Sequence, residues 1–126
     1  MKLNAIGVTS SNFQKTVEFY SLLGYQFPDF KNEDQHLEPI TPDTSARLMI
    51  DKKELIQEIL GEEPKPSNHS AFAIEYNSSQ EVNGVVKKIK DKNFKVIKEP
   101  WDAFWGQRYA IVEDPDGYKI DLYAAL

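Results

Sequence analysis

Asp121 lies in the last strand-like stretch of the chain, DPDGYKIDLY at residues 114–123, between Ile120 and Leu122. Side chains alternate across a strand, so its carboxylate points to the face opposite those two apolar groups. A carboxylate in that position could hold a metal ion, accept a proton or line a wet pocket. A second group of interest is the aromatic stretch EPWDAFWGQRY, which brings Trp101, Phe104, Trp105 and Tyr109 together around Pro100 and Gly106. Such a loop either packs as a plug or across a subunit interface, or walls a ligand site. As a wall it would favour flat or cationic ligands, through stacking and cation–π contact. Asp121, Glu75 and Asp102 would add negative potential. Arg108 could anchor an anion, or pair with a neighbouring carboxylate such as Glu99. His69 is either a polar loop residue or a pocket contact. His36 sits among acids in NEDQHLEPI and reads as a solvated strand residue.

Other familiar chemistries find no footing. The chain has no Cys, which excludes disulfides, thiolate metal sites and Cys nucleophiles. It carries neither a G-x-S-x-G elbow nor a phosphate-cradling Gly-rich loop.

Two helices must position these groups. In SSNFQKTVEFYSLLGYQF, Ser11 as N-cap and Gln14 three residues on suggest a capping box. Phe13, Val17, Tyr20 and Leu23 form the apolar stripe, and Gly24 supplies the stop. In SSQEVNGVVKKIKDKNF, Ser78 and Glu81 repeat the box, Val82, Val85, Val86 and Ile89 form the stripe, and Asn93 fits the C-terminal end. The strands NAIGVT and SAFAIEY precede these helices. YQFPDF, QHLEPI and ARLMI follow the first, with Pro28 marking YQFPDF as a bent or edge strand. FKVIKE, QRYAIVE and YKIDLYA follow the second. The pattern is a βαβββ unit written twice, an α+β arrangement. Module 1 covers about residues 1–60, a Pro- and Gly-containing linker about 61–68, and module 2 about 69–126, all in one domain. DKKELIQEILG before the linker is a candidate for a short extra helix. The DPDG segment is a hairpin connector: Pro115 presets φ, and Gly117 takes the positive φ that follows.

Composition narrows the partners. With 126 residues, 28% charged and a net charge of −5, the chain is an ordinary acidic globular domain. It lacks the concentrated basic face that phosphate backbones need, so no nucleic-acid partner is expected. No apolar run approaches the roughly 18 residues of a membrane span, so no membrane partner is expected either. The N-terminal stretch reads as a first strand rather than a signal peptide, and the absence of Cys fits a cytoplasmic setting.

VEFYSLLGYQF at 17–27 and WGQRYAIVEDPDGYKIDLY at 105–123 together resemble the vicinal oxygen chelate superfamily, which includes glyoxalase I, extradiol dioxygenases, and fosfomycin and bleomycin resistance proteins. The W-G-Q-R stretch is most similar to the bleomycin-resistance-like branch. The resemblance spans essentially the whole chain. It implies two βαβββ modules whose strands curl into a cup-shaped mixed sheet with helices outside, a small organic ligand within and a homodimeric assembly. In metal-dependent members, the ion is held by His on the first strand, His or Glu on the first strand of the second module, and Glu on the last strand. Carried over, the last position is Asp121, the first falls on Ala5, and the other falls on His69 or Ala71. The resemblance therefore implies no cofactor, with one divalent metal ion at His69 and Asp121 as the alternative. In the cup, Ala5, Gly7, Ala71, Ala73 and Glu75 would face inward. Their small side chains leave room for a guest unless residues from other strands fill it. The expected ligand-binding residues are Asp121, Trp101, Phe104, Trp105, Arg108, Tyr109, Glu75 and His69. The expected function is metal-free binding of a small aromatic or cationic molecule, with a metal-dependent lyase or dioxygenase as the alternative.

Overall fold

A computed structural model describes all residues, 1–126. It has three helices and seven strands, in an α+β arrangement: β1 (Ala5–Ser10), α1 (Phe13–Leu23), β2 (His36–Leu37), β3 (Arg47–Lys52), α2 (Lys53–Leu60), β4 (Phe72–Glu75), α3 (Ser79–Asp91), β5 (Lys95–Ala103), β6 (Gln107–Glu113) and β7 (Lys119–Ala125). The chain divides into two compact units, Met1–Lys65 and Pro66–Leu126, each with its own mixed sheet. No helix is long and apolar enough to cross a membrane.

In the first unit the strand order is β1-β3-β2, with β1 and β3 parallel and β2 antiparallel to β3. The helix begins one residue later than the capping pattern suggests. Asn12, not Ser11, is the N-cap, and its Oδ1 accepts from Lys15 N at 3.0 Å. The buried stripe is Phe13, Thr16, Phe19, Tyr20 and Leu23. Val17 is only partly covered, and Thr16 is accommodated because its hydroxyl meets the buried Ser10 hydroxyl at 2.6 Å. Gly24 adopts φ 117°, and Tyr25 N closes the helix on Tyr20 O. YQFPDF forms no strand. Only one backbone bond, Ile40 N to Gln26 O at 2.8 Å, stands where a ladder was expected. Pro28 has no N–H to contribute there. QHLEPI contributes only the two-residue β2, so this unit is βαββα. The short helix foreseen in DKKELIQEILG is present as α2.

In the second unit the order is β4-β7-β6-β5, with β4 and β7 parallel and the other pairs antiparallel. It is the full βαβββ pattern. Ser78 Oγ accepts from Glu81 N at 3.2 Å, and Glu81 Oε2 accepts from Asn77 N at 3.2 Å. At the other end Asn93 takes φ 62°, with Phe94 N bonded to Ile89 O and Asn93 N to Lys90 O. Val82, Val86 and Ile89 of α3 are buried along with Ala110, Val112, Ile120, Leu122 and Ala124 of the sheet. That alternation fixes the two faces: even-numbered residues of β6 and β7 meet the helix, and odd-numbered ones face away.

The turn before β7 is held from inside. Asp114 is buried, and its Oδ1 accepts from Asp116 N at 2.9 Å and Tyr118 N at 3.0 Å. Gly117 has φ 96°, as expected for the DPDG connector.

Candidate functional site

The helix-free face of the second sheet collects the polar and aromatic groups of interest. Cross-strand register places Ala73 and Ile111 on either side of Asp121, and Glu75 and Tyr109 on either side of Tyr123. Asp121 is half-buried, and both of its oxygens are occupied. Tyr109 Oη donates to Oδ2 at 2.5 Å, and Ser70 Oγ donates to Oδ1. Burial raises the Tyr109 phenol first, and the adjoining Asp121 carboxylate adds to the effect, so its pKa is pushed up to about 12.

Tyr109 is also the hub of the aromatic cluster. It stacks on Tyr123, with centroids 5.8 Å apart and planes at 15°. Trp101 and Trp105 meet it edge-on at 5.5 and 5.4 Å, and each other at 6.0 Å. Phe104 adds a fifth contact, to Trp105 at 5.1 Å. Trp105 Nε1 donates to Gln107 Oε1 at 2.9 Å. Two of these rings are strongly exposed for apolar groups: Phe104 at 97% and Trp105 at 50%. Gly106, at φ 91°, turns the chain between β5 and β6 and leaves them at the tip.

Strand β5 brings Trp101 to this face by an irregular route. It is an edge strand, so Pro100 costs no ladder bond toward a further neighbour. Its register with β6 shifts between Val96 and Lys98 and again between Lys98 and Trp101. Each shift adds a residue to one side of the pairing and resets the alternation. Lys98 and Trp101 therefore pair with Ile111 and Tyr109, on the face away from α3. Lys98 Nζ then lies 5.1 Å from the Trp101 ring centroid.

Among the expected site residues, Asp121, Trp101, Trp105 and Tyr109 come together directly, and Phe104 joins through Trp105. Glu75 shares their face. His69 is exposed, and its Nδ1 meets Ser70 O at 3.0 Å, so it adjoins the site through its chain neighbour. Arg108 and Asp102 do not belong to the cluster. They pair with each other at 3.1 Å on the helix side, where Arg108 Nε also donates to Asn83 Oδ1 at 3.0 Å. Arg108 lines a groove of about 460 Å³ with Asn83, Val86, Lys90 and Glu99. Its partner is thus Asp102 rather than Glu99, which pairs with Lys90. Ser70 and Tyr123 were not foreseen. The alternation of YKIDLY did place Tyr123 on the same face as Asp121, but Ser70, at the head of the expected strand SAFAIEY, shares the parity of Phe72 and Ile74 and precedes β4, so alternation gave no such signal.

The first unit carries a separate polar cluster that its sequence concealed. His36 Nδ1 lies 2.6 Å from Asp51 Oδ1, and its Nε2 lies 2.7 Å from Glu38 Oε2. Arg47 reaches both oxygens of Glu38, at 2.8 and 2.6 Å, and Asn4 Oδ1 at 3.0 Å. Bonds to Asp51 and then Glu38 raise the His36 pKa, and the bond from His36 is the main cause lowering that of Glu38. His36 is therefore bridged between two acids rather than simply solvated.

A transition metal is normally held by three or more protein ligands. No group of three His, Cys, Asp or Glu side chains is arranged to hold one. Asp121 is engaged by two hydroxyls, and the first-strand position is Ala5. These residues do not fit an ion cage.

Comparison with known proteins places this geometry in context. The family model described as "Glyoxalase/Bleomycin resistance protein/Dioxygenase superfamily" matches residues 2–122. The chain is 30% identical to the "Uncharacterized protein YraH" of Bacillus subtilis, over 100% of both proteins. It is 42% identical over 55 residues to a "Probable lactoylglutathione lyase" of Synechocystis, covering 43% of this chain and 38% of the other. A crystal structure of a "glyoxalase-related enzyme" from Fulvimarina pelagi superimposes with a TM-score of 0.82 at 16% identity, covering 98% of this chain and 88% of that one.

Proposed function

Since this chain belongs to the glyoxalase/bleomycin resistance protein/dioxygenase superfamily, we propose that it binds a small flat aromatic or cationic molecule on the open face of its second sheet, without a metal. The observation that carries this reading is the joining of five aromatic rings to one carboxylate through Tyr109. Rings supply apolar area and polarisable faces for stacking. Asp121 supplies charge at their edge. Its hydrogen bonds orient it without neutralising it, since both donors are neutral hydroxyls. No residue here is assigned to bond-breaking chemistry: a phenol pushed up to about 12 is a poor proton donor or acceptor near neutrality.

Thermal-shift screening with glycopeptides of the bleomycin type and flat cationic dyes tests this reading. A native-state ligand must raise the melting temperature. The expected hits lose their effect in Trp101→Ala. A screen without hits, or hits that persist in that variant, removes the assignment.

A metal-dependent lyase is the second reading, favoured by the partial match to the probable lactoylglutathione lyase. Elemental analysis after purification from metal-supplemented medium separates the two. A stoichiometric transition metal lost in Asp121→Ala would replace the first reading with the second. We also propose a homodimer, supported by the exposure of Phe104, Trp105, Ile59 and Leu60. Size-exclusion chromatography with light scattering tests it, and a monomeric mass at micromolar concentration refutes it.

A further inference from the structure

The direction of the hydrogen bonds around Asp121 selects the charge of the guest. An ionised carboxylate only accepts, so both hydroxyl hydrogens in contact with it must point inward. Tyr109 donates to Oδ2 and Ser70 to Oδ1. A hydroxyl that has spent its one hydrogen can offer an approaching molecule only lone pairs. The centre of the site therefore presents three groups, Asp121, Tyr109 Oη and Ser70 Oγ, that all accept and none that donates.

Two of the protein's own cations are engaged by Glu113, away from Asp121. Lys119, the nearest on the same strand face, reaches Glu113 at 3.6 Å, as does Lys95. Lys98 lies over the Trp101 ring. In that contact an ammonium group already sits against one of these aromatic faces. Glu75, across the register from Tyr123, adds a second negative charge to the same face. Beside Asp121, Ala73 is exposed and carries only a methyl group, so little stands over the carboxylate on that flank.

We infer that the ligand's recognised group is an organic cation carrying N–H donors, such as an amidinium, guanidinium or primary ammonium attached to a flat ring, seated with its N–H groups on Asp121, Tyr109 Oη and Ser70 Oγ. A quaternary ammonium has charge but no hydrogen to give, and an anion meets only lone pairs and negative charge. The inference rests on the proposed ligand site and narrows what that site accepts.

Benzamidine, benzamide, benzoate and phenyltrimethylammonium share one ring and differ in charge and donors. The chain contains two Trp, and both lie in the cluster, so fluorescence excited selectively at Trp, beyond the Tyr absorption band, reports this site. Titration of the full chain is expected to give benzamidine a midpoint about tenfold below that of benzamide, the ratio expected of one charge-assisted hydrogen bond. Phenyltrimethylammonium should bind more weakly than benzamidine, and benzoate weakest of all. Asp121→Asn, which keeps shape and one acceptor, should abolish the advantage of benzamidine over benzamide. If it does not fold, the wild-type ranking still decides. Equal midpoints for benzamidine, benzamide and benzoate would overturn the inference while leaving an aromatic site in place. Parity between phenyltrimethylammonium and benzamidine would also overturn it, by assigning selection to the ring faces. Silence from all four compounds would remove the site and the inference together.

Discussion

Replacing Asp121 by Asn should move the ionisation of a residue two strand positions and one strand away. Tyr109 is raised from 10.0 to about 12 by four influences: burial, the hydrogen bond to Asp121, the charge of Asp121 and, least, the neighbouring Tyr123. Burial is the largest and survives the substitution. The charge is lost, and Asn can still accept from the phenol. Tyr109 should therefore fall back only part of the way toward 10. The assay is ultraviolet titration of tyrosinate, with the Tyr109→Phe curve subtracted so that the other five Tyr cancel. The sign for stability follows from linkage. A phenol whose folded pKa exceeds its unfolded one contributes stability in full below pH 10, and that contribution disappears as the pH rises through about 12. An interval of two pH units would correspond to about 2.7 kcal/mol in a fully shielded group. Tyr109 is half-exposed, so solvent screening reduces this to about 1 kcal/mol. Chemical denaturation at pH 9.5 and 11.5 should thus show a steeper loss in wild type than in Tyr109→Phe. If Tyr109 titrates near the ordinary phenol value of 10 in the wild-type protein, its bond to Asp121 does not exist in solution and the site as described falls.

Three further consequences concern the scaffold and the first unit. His36→Gln should reduce stability by about 0.5 kcal/mol at pH 5.5, the modest value of a half-exposed ion pair. A His with a raised pKa stabilises in full below about 6.5 and loses that contribution as the pH rises through its folded value, so the difference should vanish by pH 9 in denaturant titrations. Leu122→Ala, at a fully buried position, should cost about 2–5 kcal/mol by urea unfolding. Gly117→Ala should cost about 1–3 kcal/mol by the same measurement, because φ is 96° and the new Cβ would stand 3.1 Å from Pro66 Cγ.

How far the sequence foretold this molecule depended on whether a local pattern was at stake. Val82, Val86 and Ile89 face the core as their spacing requires, and Ile120–Asp121–Leu122 alternates as a strand should. Asn93 and Gly117 occupy positive φ because the turns at those points demand it. Patterns failed where tertiary context overrode them. Ser11 and Asn12 are both good caps, and it is Asn12 whose Oδ1 accepts from Lys15 N. YQFPDF looked extended, but Pro28 left it without a ladder. The site itself was half-visible. An odd-numbered set on β6 and β7 could be read from alternation, whereas Trp101 reaches that face only through two register shifts in β5. Arg108 follows Gln107 and precedes Tyr109, so alternation alone should have sent it to the helix side. The bridge from His36 to Asp51 joins residues 15 positions apart, and no local pattern announces such a contact.

The account stands on the aromatic rings around Asp121 being a place where a guest molecule sits. Each of Trp101 and Trp105 would give one indole Nε1–H signal in a nitrogen-15 correlation spectrum, which makes the site directly observable. On addition of benzamidine both indole signals should shift in a saturable manner, and in Asp121→Asn the same shifts should need about tenfold more benzamidine. Indole signals that stay fixed while amides elsewhere in the chain move would locate binding away from this cluster and contradict the assignment.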